Sequence, residues 1–554
     1  MVKARLHASR WLIAFSVSLF AILQGSQAYC QKGTYSYYYR VIFRNKGDYT
    51  PSDFQASELM SQRAMDRRSR SGVTYPDYRD LPVYKPYIEQ ITSMGYTYHC
   101  SSKWLNTGLF KSTGLLDFAL LRNLPYVSDV LLVKTPANRK SVTDKLKITG
   151  MQAELPPYDR PLTMTNGNLL HSSGLTGKGV FIAVLDGGFY KADLVSSLDH
   201  LRKRGGIKGT YDFVYGKKDV YNYHNHGTAV LSVLAGLYEN HLEGTAPDAD
   251  YLLLRSEDTS TEYSVEEDFW VAAAEFADSA GVDIISSSLG YYEFDDPELN
   301  YKYSDMDGNT TFVSRGADVA ASKGILVLAS AGNERNKSWK RIIAPSDGDS
   351  VLCIGAVDGN LVISDFSSAG PAADGRVKPD ISAQGVLVTI QTEENTLTRA
   401  NGTSFSCPVM SGLCACLLQS VPNATNMEIS RLLKESSNRF QQPDSLYGYG
   451  IPDMVSVLKK LQDKYVVKSE DNIIIGPNPF TEAFNVVFKE DPGDFTLEIL
   501  SGSGKIIRSR SYTGFKGRTI NLYDLAGSLD GLYYYRVRTS KGTFSGKIIK
   551  TSSL

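Results

Sequence analysis

The sequence has no excess of charge of either sign. Its 554 residues include 59 Lys and Arg against 60 Asp and Glu, which gives a formal net charge of −1. Nucleic-acid binding depends on a basic surface that neutralises phosphates, so this balance argues against a nucleic-acid partner. The hydrophobic content of 42% is sufficient for buried cores. A chain of this length predicts about two to four folded domains.

Cysteine is scarce, and its spacing does not indicate a metal site. No CxxC pair is present among the six cysteines. An even number permits disulfides in an exported protein, but Cys414 and Cys416 lie two residues apart on a predicted helix and would point in different directions. We therefore expect the cysteines to be mostly buried, small apolar residues. They are Cys30, Cys100, Cys353, Cys407, Cys414 and Cys416.

Long apolar runs are also missing, apart from WLIAFSVSLFAIL near the amino terminus. Basic residues precede this run and GSQAYCQ follows it, which is typical of a secretory signal peptide cleaved after Ala28. The alternative is a membrane anchor, but the run is too short to cross about 30 Å of hydrocarbon as a helix. The sequence therefore predicts a signal peptide over residues 1–28 and an exported protein.

Three further segments differ from one another in their pattern of apolar and polar residues. Residues 29–150 combine strand-like runs such as YSYYYRVIF with helical spacing in SELMSQRAMDRRSRSGV, whose basic end we expect to be exposed. Residues 155–463 alternate short apolar strands with amphipathic helices, which favours a mostly parallel α/β sheet with helices on both faces. Residues 473–554 contain hairpin patterns without helices and predict a small β-sandwich.

The stretch NGTSFSCPVM contains three candidate nucleophiles, Ser404, Ser406 and Cys407. Nucleophilic catalysis also needs a general base and a group that orients it. Asp186 ends the strand-like segment VFIAVLD, and His226 begins a helical pattern, so the chain order is Asp, His, Ser. Taken singly, each residue has a structural explanation as a turn, packing or helix-capping residue. The set together favours catalysis by Ser404.

Several segments extend this pattern from about residue 160 to 458. Together they resemble the subtilisin-like serine proteases, in the family's order. The segments are VLDGG, NHGTAVLSVLAG, GTAPDADYLLLR, SSSLG, SAGN, SSAGPAADGRVKPDISAQG, NGTSFSCP and YGYGIPDM.

The resemblance implies a role for each catalytic residue. Ser404 would be the nucleophile, His226 the general base and then acid, and Asp186 the group that orients the imidazole. The Asn333 side-chain amide and the Ser404 backbone N–H would stabilise the tetrahedral oxyanion. The implied activity is endopeptidase cleavage through an acyl-enzyme.

The resemblance also implies a substrate-binding strand and a specificity pocket. Ser288, Leu289 and Gly290 would pair with the backbone of an extended protein or peptide substrate. Together with Ala331 and Gly332 they would form the wall of the primary pocket.

Two positions depart from the family's pattern. Ala229 stands where a second His is frequent, and Phe405 stands where Met usually follows the nucleophile. Neither change affects the proton-transfer path, so activity is expected but specificity cannot be inferred from relatives.

No cofactor is required by this chemistry, and we predict no catalytic metal. His224 and His226 could form a metal pair, but no third ligand follows at suitable spacing. Asp305, Asp307 and Asn309 offer oxygen ligands at alternate positions, so a structural calcium ion is possible. A solvated acidic loop explains the same residues, and we favour that interpretation.

The same resemblance implies a function for each of the two segments that flank the middle domain. Residues 29–150 would be a propeptide that assists folding and inhibits the protease intramolecularly, so the protein would be made as a zymogen. Residues 473–554, with GPNPF at the start and GLYYYRVRTSKGTFSGKIIK at the end, resemble the sorting domains of type IX secretion cargo. They would engage the secretion machinery and give a secreted or bacterial cell-surface location. A substrate- or surface-binding module is the alternative for this domain.

A catalytically silent adhesin or binding protein is the alternative for the whole chain. Degenerate relatives usually lose Ser, His or the oxyanion Asn, and this sequence retains all of them. A lipase or esterase is disfavoured, because no GxSxG motif coincides with this residue order.

Overall fold

A computed structural model describes most of the chain. The described residues are 37–136, 145, 146, 148, 160–239, 241–465, 472–476, 478, 480, 483–522, 525 and 528–551. The predicted signal peptide and Cys30 lie outside them. None of the helices in these ranges is both long and apolar enough to cross a membrane.

The amino-terminal unit is a four-stranded antiparallel sheet with short helices. Its strands follow the order β2-β3-β1-β4. Side chains alternate along β1, because successive residues of a strand face opposite sides: Tyr39, Val41 and Phe43 enter the unit's own core, whereas Arg40 faces away from it. The elements are β1 (Tyr37–Phe43), α1 (Ala56–Leu59), α2 (Gln62–Arg70), α3 (Lys85–Ser93), β2 (Thr97–Ser102), β3 (Thr107–Ser112), α4 (Ala119–Arg122) and β4 (Val127–Lys134).

The middle domain contains a seven-stranded parallel sheet, as the alternation of strands and helices predicted. Its strand order is β13-β12-β11-β10-β5-β9-β6, and two short antiparallel ribbons lie beside it. The strands are β5 (Phe181–Asp186), β6 (Ile207–Asp212), β7 (Leu237–Tyr238), β8 (Leu242–Glu243), β9 (Asp250–Arg255), β10 (Ile284–Ser287), β11 (Leu326–Ser330), β12 (Leu352–Val357), β13 (Ile381–Gln384), β14 (Val388–Gln391) and β15 (Leu397–Ala400).

Helices cover both faces of this sheet and create two buried cores. One core includes residues of α8, α11, α12 and α13, and the other includes residues of α9 and α10. This confirms the doubly wound α/β fold. The helices are α5 (Arg160–Met164), α6 (Gly167–Ser172), α7 (Asp199–Lys203), α8 (His226–Ala235), α9 (Val265–Ala280), α10 (Phe312–Ser322), α11 (Thr403–Ser420), α12 (Asn426–Ser436) and α13 (Met454–Tyr465).

The carboxyl-terminal domain consists of two antiparallel sheets that share one apolar core, as a β-sandwich requires. The sheets have the strand orders β16-β17-β20 and β19-β18-β21-β22. The strands are β16 (Ile473–Gly476), β17 (Phe484–Phe488), β18 (Phe495–Leu500), β19 (Ile506–Tyr512), β20 (Thr519–Leu522), β21 (Gly531–Thr539) and β22 (Gly542–Lys550).

The amino-terminal unit is joined to the middle domain by buried ion pairs. Arg40 of β1 donates to both carboxylate oxygens of Asp268 on α9, at 2.6–2.9 Å. The expectation that the basic end of α2 is exposed was wrong for two residues: Arg67 and Arg68 are buried and both pair with Asp278 of α9. The partner carboxylate lies on another domain, so local sequence gave no sign of it.

Candidate active site

The site lies at the carboxyl edge of the parallel sheet, where α/β proteins commonly bind ligands. Strand β5 is buried along its whole length and ends in Asp186. The strand β10 pairs with β5 on one side and with β11 on the other. The polar residues that follow these three strands are therefore brought to one edge.

Asp186 and His226 form a buried hydrogen-bonded pair. His226 Nδ1 lies 2.9 Å from each oxygen of the Asp186 carboxylate. The contact requires close approach of helix α8 to the loop after β5, and a Cβ atom on Gly227 would lie only 2.4 Å from the backbone oxygen of Gly188. Asp186 can therefore fix the imidazole orientation and stabilise a positive charge on it.

Ser404 is the second residue of helix α11 and lines the same cavity as His226. This cavity has a volume of about 430 Å³. The first backbone N–H groups of a helix have no acceptor within it, so the Ser404 N–H lies where it can donate to an anion. The Ser404 carbonyl accepts a hydrogen bond from the Ser288 hydroxyl at 2.9 Å.

Asn333 lines the same cavity, just beyond strand β11. Its Oδ1 accepts hydrogen bonds from the backbone N–H and the hydroxyl of Thr403, at 2.9 and 3.0 Å. These two bonds fix the side-chain amide and leave its NH₂ group as the donor for a ligand. The Asn333 amide and Ser404 thus line one cavity, and the NH₂ group can donate to an anion there.

The predicted substrate-binding residues divide into two groups. Ser288, Leu289, Gly290 and Gly332 line the cavity. Ala331 is fully buried in a small cluster with Ile342, Cys353 and Ala372 and is not among the residues that line it.

The other candidate ligand residues have local hydrogen-bond partners. The Asp307 carboxylate accepts the backbone N–H groups of Asn309 and Thr310 at 2.8 and 2.7 Å, and Asp305 accepts the Lys302 N–H at 2.8 Å. His224 Nδ1 accepts the backbone N–H of His226 at 3.1 Å. Residues 305–309 either bind a calcium ion or form a solvated loop without one, and both alternatives stay predictions.

Comparison with known proteins identifies the middle domain. The sequence model described as the Subtilase family matches residues 177–450. Subtilisin E of Bacillus subtilis (strain 168) is 30% identical over 305 residues, covering 54% of this chain and 70% of its own length. The subtilisin of Bacillus pumilus is also 30% identical over 305 residues, covering 54% of this chain and 97% of its own. The chain belongs to the subtilase family.

The serine protease AprX of Bacillus subtilis (strain 168) is a further relative of this subtilase. It is 29% identical over 306 residues, which cover 50% of this chain and 65% of AprX. The chain thus spans just under two thirds of that relative. The family is one of serine peptidases, which confirms the predicted enzyme class.

Two further matches confirm the predicted accessory domains of the subtilase. The Peptidase S8 propeptide domain of Bacteroidota matches residues 38–147, and the Secretion system C-terminal sorting domain matches residues 475–551. The sorting domain indicates type IX secretion and a location outside the cell or at its surface.

Sequence reasoning missed one part of the subtilase site. Lys145, Leu146 and Ile148, which lie at the end of the propeptide segment, line the cavity together with His226 and Ser404. Glu257 and Glu262 line it too. The one sequence signal was the acidic stretch SEDTSTEYSVEED, which follows β9 and runs into the first turn of α9.

The other two nucleophile candidates lie inside the protein. Ser406 is buried and donates to the Thr403 carbonyl at 3.1 Å, so it serves the first turn of α11. Burial raises the pKa of the Cys407 thiol to about 12, which keeps it protonated and unreactive.

We expect a Cys407→Ser variant to keep kcat/KM within about threefold of the parent, because a neutral buried thiol takes no part in nucleophilic attack. Peptide hydrolysis before and after treatment with iodoacetamide measures this, with the parent enzyme as the control. A loss of activity on alkylation of the folded parent would implicate the thiol instead.

Proposed function

We propose that the protein is an exported serine endopeptidase that uses Asp186, His226 and Ser404 as its catalytic triad. The observation that carries this proposal is the paired 2.9 Å contact of His226 Nδ1 with both Asp186 oxygens, in a cavity that Ser404 and Asn333 also line. No cofactor is needed for this chemistry.

In the proposed mechanism, Ser404 Oγ attacks the substrate carbonyl while His226 Nε2 removes its proton. The oxyanion accepts hydrogen bonds from the Asn333 amide and the Ser404 backbone N–H. His226 then gives the proton to the leaving amine, and the C–N bond breaks to leave an acyl-enzyme. A water molecule, deprotonated by His226, attacks the ester and releases Ser404.

Substrates would bind as extended polypeptides along Ser288, Leu289 and Gly290. These residues follow strand β10 at the edge of the cavity, and the Ser288 hydroxyl holds the carbonyl of Ser404. Gly332 would complete the primary pocket, whereas Ala331 would support it from behind. The large Phe405, which also lines the cavity, would narrow it near His226.

We further propose that residues 29–150 keep the protease inactive as a zymogen until they are removed from the catalytic domain at residues 155–463. Lys145, Leu146 and Ile148 lie in the cavity that a substrate must enter. Residues 473–554 would direct the protein to the secretion machinery after the signal peptide at 1–28 has been removed.

A fluorophosphonate probe tests the catalytic proposal. We expect the mature protein to be labelled on the peptide that contains Ser404, because only a serine activated by a general base reacts with such a probe. Mass spectrometry of the labelled digest locates the modification. Heat-denatured protein is the control, and an unlabelled native mature protein would favour a silent adhesin.

A further inference from the structure

Lys145, Glu257 and Glu262 line the cavity and form a cluster of opposite charges with the buried Glu266. Lys145 Nζ lies 2.7 Å from Glu257, 2.8 Å from Glu262 and 2.7 Å from Glu266. These three carboxylates, here called the acidic pocket, form one group with oxygen atoms within 4.8 Å of one another. One ammonium group is therefore enclosed by three acids.

The acidic pocket is built into the protease domain. The side chains of Glu257 and Glu266 are 3% and 0% exposed. The Tyr291 hydroxyl donates to Glu257, and the backbone N–H of Asp258 donates to Glu266 at 2.9 Å. Glu266 lies in the first turn of α9, where the helix dipole also favours negative charge. These contacts hold the Glu257 and Glu266 carboxylates in place without involving Lys145.

Removal of the ammonium group would leave the acidic pocket poorly compensated. Burial and the neighbouring carboxylates raise the pKa of Glu266, and burial raises the pKa of Glu262 to about 7 even with Lys145 beside it. Like charges at this separation repel, and burial prevents water from screening them fully. Once Lys145 has left, the carboxyls take up protons, and a cationic side chain that enters displaces these protons and restores the three ion pairs.

Lys145 lines the cavity together with two of its neighbours in sequence. The propeptide match ends at residue 147, and Leu146 and Ile148 line the same cavity as Lys145. Leu146 approaches Gly187 so closely that a Cβ atom there would lie 2.6 Å from Leu146 Cδ1. Gly187 directly follows Asp186, so Leu146 lies beside the triad, and Lys145 immediately precedes Leu146 in sequence.

We propose that the acidic pocket is a subsite for a lysine side chain of the polypeptide substrate, on the amino-terminal side of the scissile bond. Lys145 occupies this subsite in the zymogen as a substrate would. The assignment rests on the proposed endopeptidase function. It makes the enzyme selective for basic segments through three residues of its own chain, Glu257, Glu262 and Glu266.

A pair of synthetic peptides tests the assignment. The first has the sequence of residues 141–150, SVTDKLKITG, and the second has norleucine in place of Lys145, which keeps the chain length and removes the charge. Both are added to the mature protease as competitors of a fluorogenic reference peptide. We expect the native peptide to inhibit about 10- to 100-fold more strongly, since a buried charge pair is lost with norleucine.

Variants of the enzyme test whether the preference for the native peptide depends on the acidic pocket. In Glu262→Gln the preference for the native peptide should fall to about threefold or less, because one carboxylate of the pocket is removed. Glu298→Gln removes an exposed acid outside the cavity and should keep the full preference. Equal inhibition by both peptides in the parent enzyme overturns the proposal, and so does a full preference retained in Glu262→Gln.

The same experiment separates a metal site and a failed enzyme from a lysine subsite. If a divalent cation fills the acidic pocket, the preference will disappear with added calcium and return with a chelator, which overturns the proposal. If the parent hydrolyses neither casein nor the reference peptide, the proposed function fails. Fluorescence anisotropy of the two labelled peptides then tests the subsite alone, with equal affinities counting against it.

Discussion

A Ser404→Ala variant is expected to lose nearly all protease activity and to accumulate as an unprocessed chain. In the proposed mechanism the Ser404 hydroxyl is the nucleophile, and it lines the cavity together with His226, which is hydrogen-bonded to Asp186. The loss of kcat should be about 10⁶-fold, which is the size known for subtilisin when its serine is removed. Casein hydrolysis and the mass of the purified chain measure the two effects.

Ser406→Ala provides the matched control for this variant. Its hydroxyl bonds only to the Thr403 carbonyl within the described structure, so its removal should cost about 1 kcal/mol of stability and leave processing intact. If Ser404→Ala were processed as fast as the parent, cleavage of the propeptide would have to come from another protease. The casein assay would then be the measurement that tests whether Ser404 is the hydrolytic nucleophile.

The sheet, and the placing of Asp186 and Asn333 at its carboxyl edge, could be predicted because the information is local. The apolar run before Asp186 forms β5, and the run before Asn333 forms β11, so each polar residue follows its strand at the same edge. The apolar spacing of TFVSRGADVAASKG, residues 311–324, likewise predicts a helix, and the structure has α10 there. In each case a short segment determines its own conformation and the position of its end.

The contacts of the propeptide could not be predicted in this way. The basic stretch that contains Arg67 and Arg68 predicts an exposed helix end. In the structure both side chains are buried and pair with Asp278, more than 200 residues later in the sequence. The Lys145 ammonium group likewise pairs with Glu266, which is 121 residues later in the sequence. Such pairs leave no periodic signal, since each charged residue alone is most often exposed.

These buried pairs are compatible with the proposed removal of the propeptide from the protease domain. The ion pairs that join Arg40 to Asp268, and Arg67 and Arg68 to Asp278, exist only while the two domains remain in contact. An ion pair that is buried gains little net free energy, because desolvation offsets the attraction between the charges. After cleavage of the connection, water can hydrate both partners, so separation does not leave an uncompensated charge in a dry core.

We expect Asn333→Asp to lower kcat about 10²- to 10³-fold while the domain stays folded. The aspartate keeps an oxygen that accepts the two hydrogen bonds from Thr403, but it replaces the donor NH₂ group with a negatively charged oxygen beside the developing oxyanion. The size of this loss is that known for removal of one oxyanion donor from subtilisin. Steady-state hydrolysis of a peptide should show the effect in kcat, with KM changed little, because the oxyanion forms only in the transition state.

Asn333→Ala separates this catalytic effect from a structural one. Alanine removes the donor and also leaves the Thr403 N–H without its acceptor, so this variant should lose stability by about 1–3 kcal/mol in addition to activity. If Asn333 acts on the oxyanion, the two variants will have similarly low kcat values but different melting temperatures. If its role is only to hold Thr403 at the start of α11, Asn333→Asp will retain most of the activity and Asn333→Ala will not.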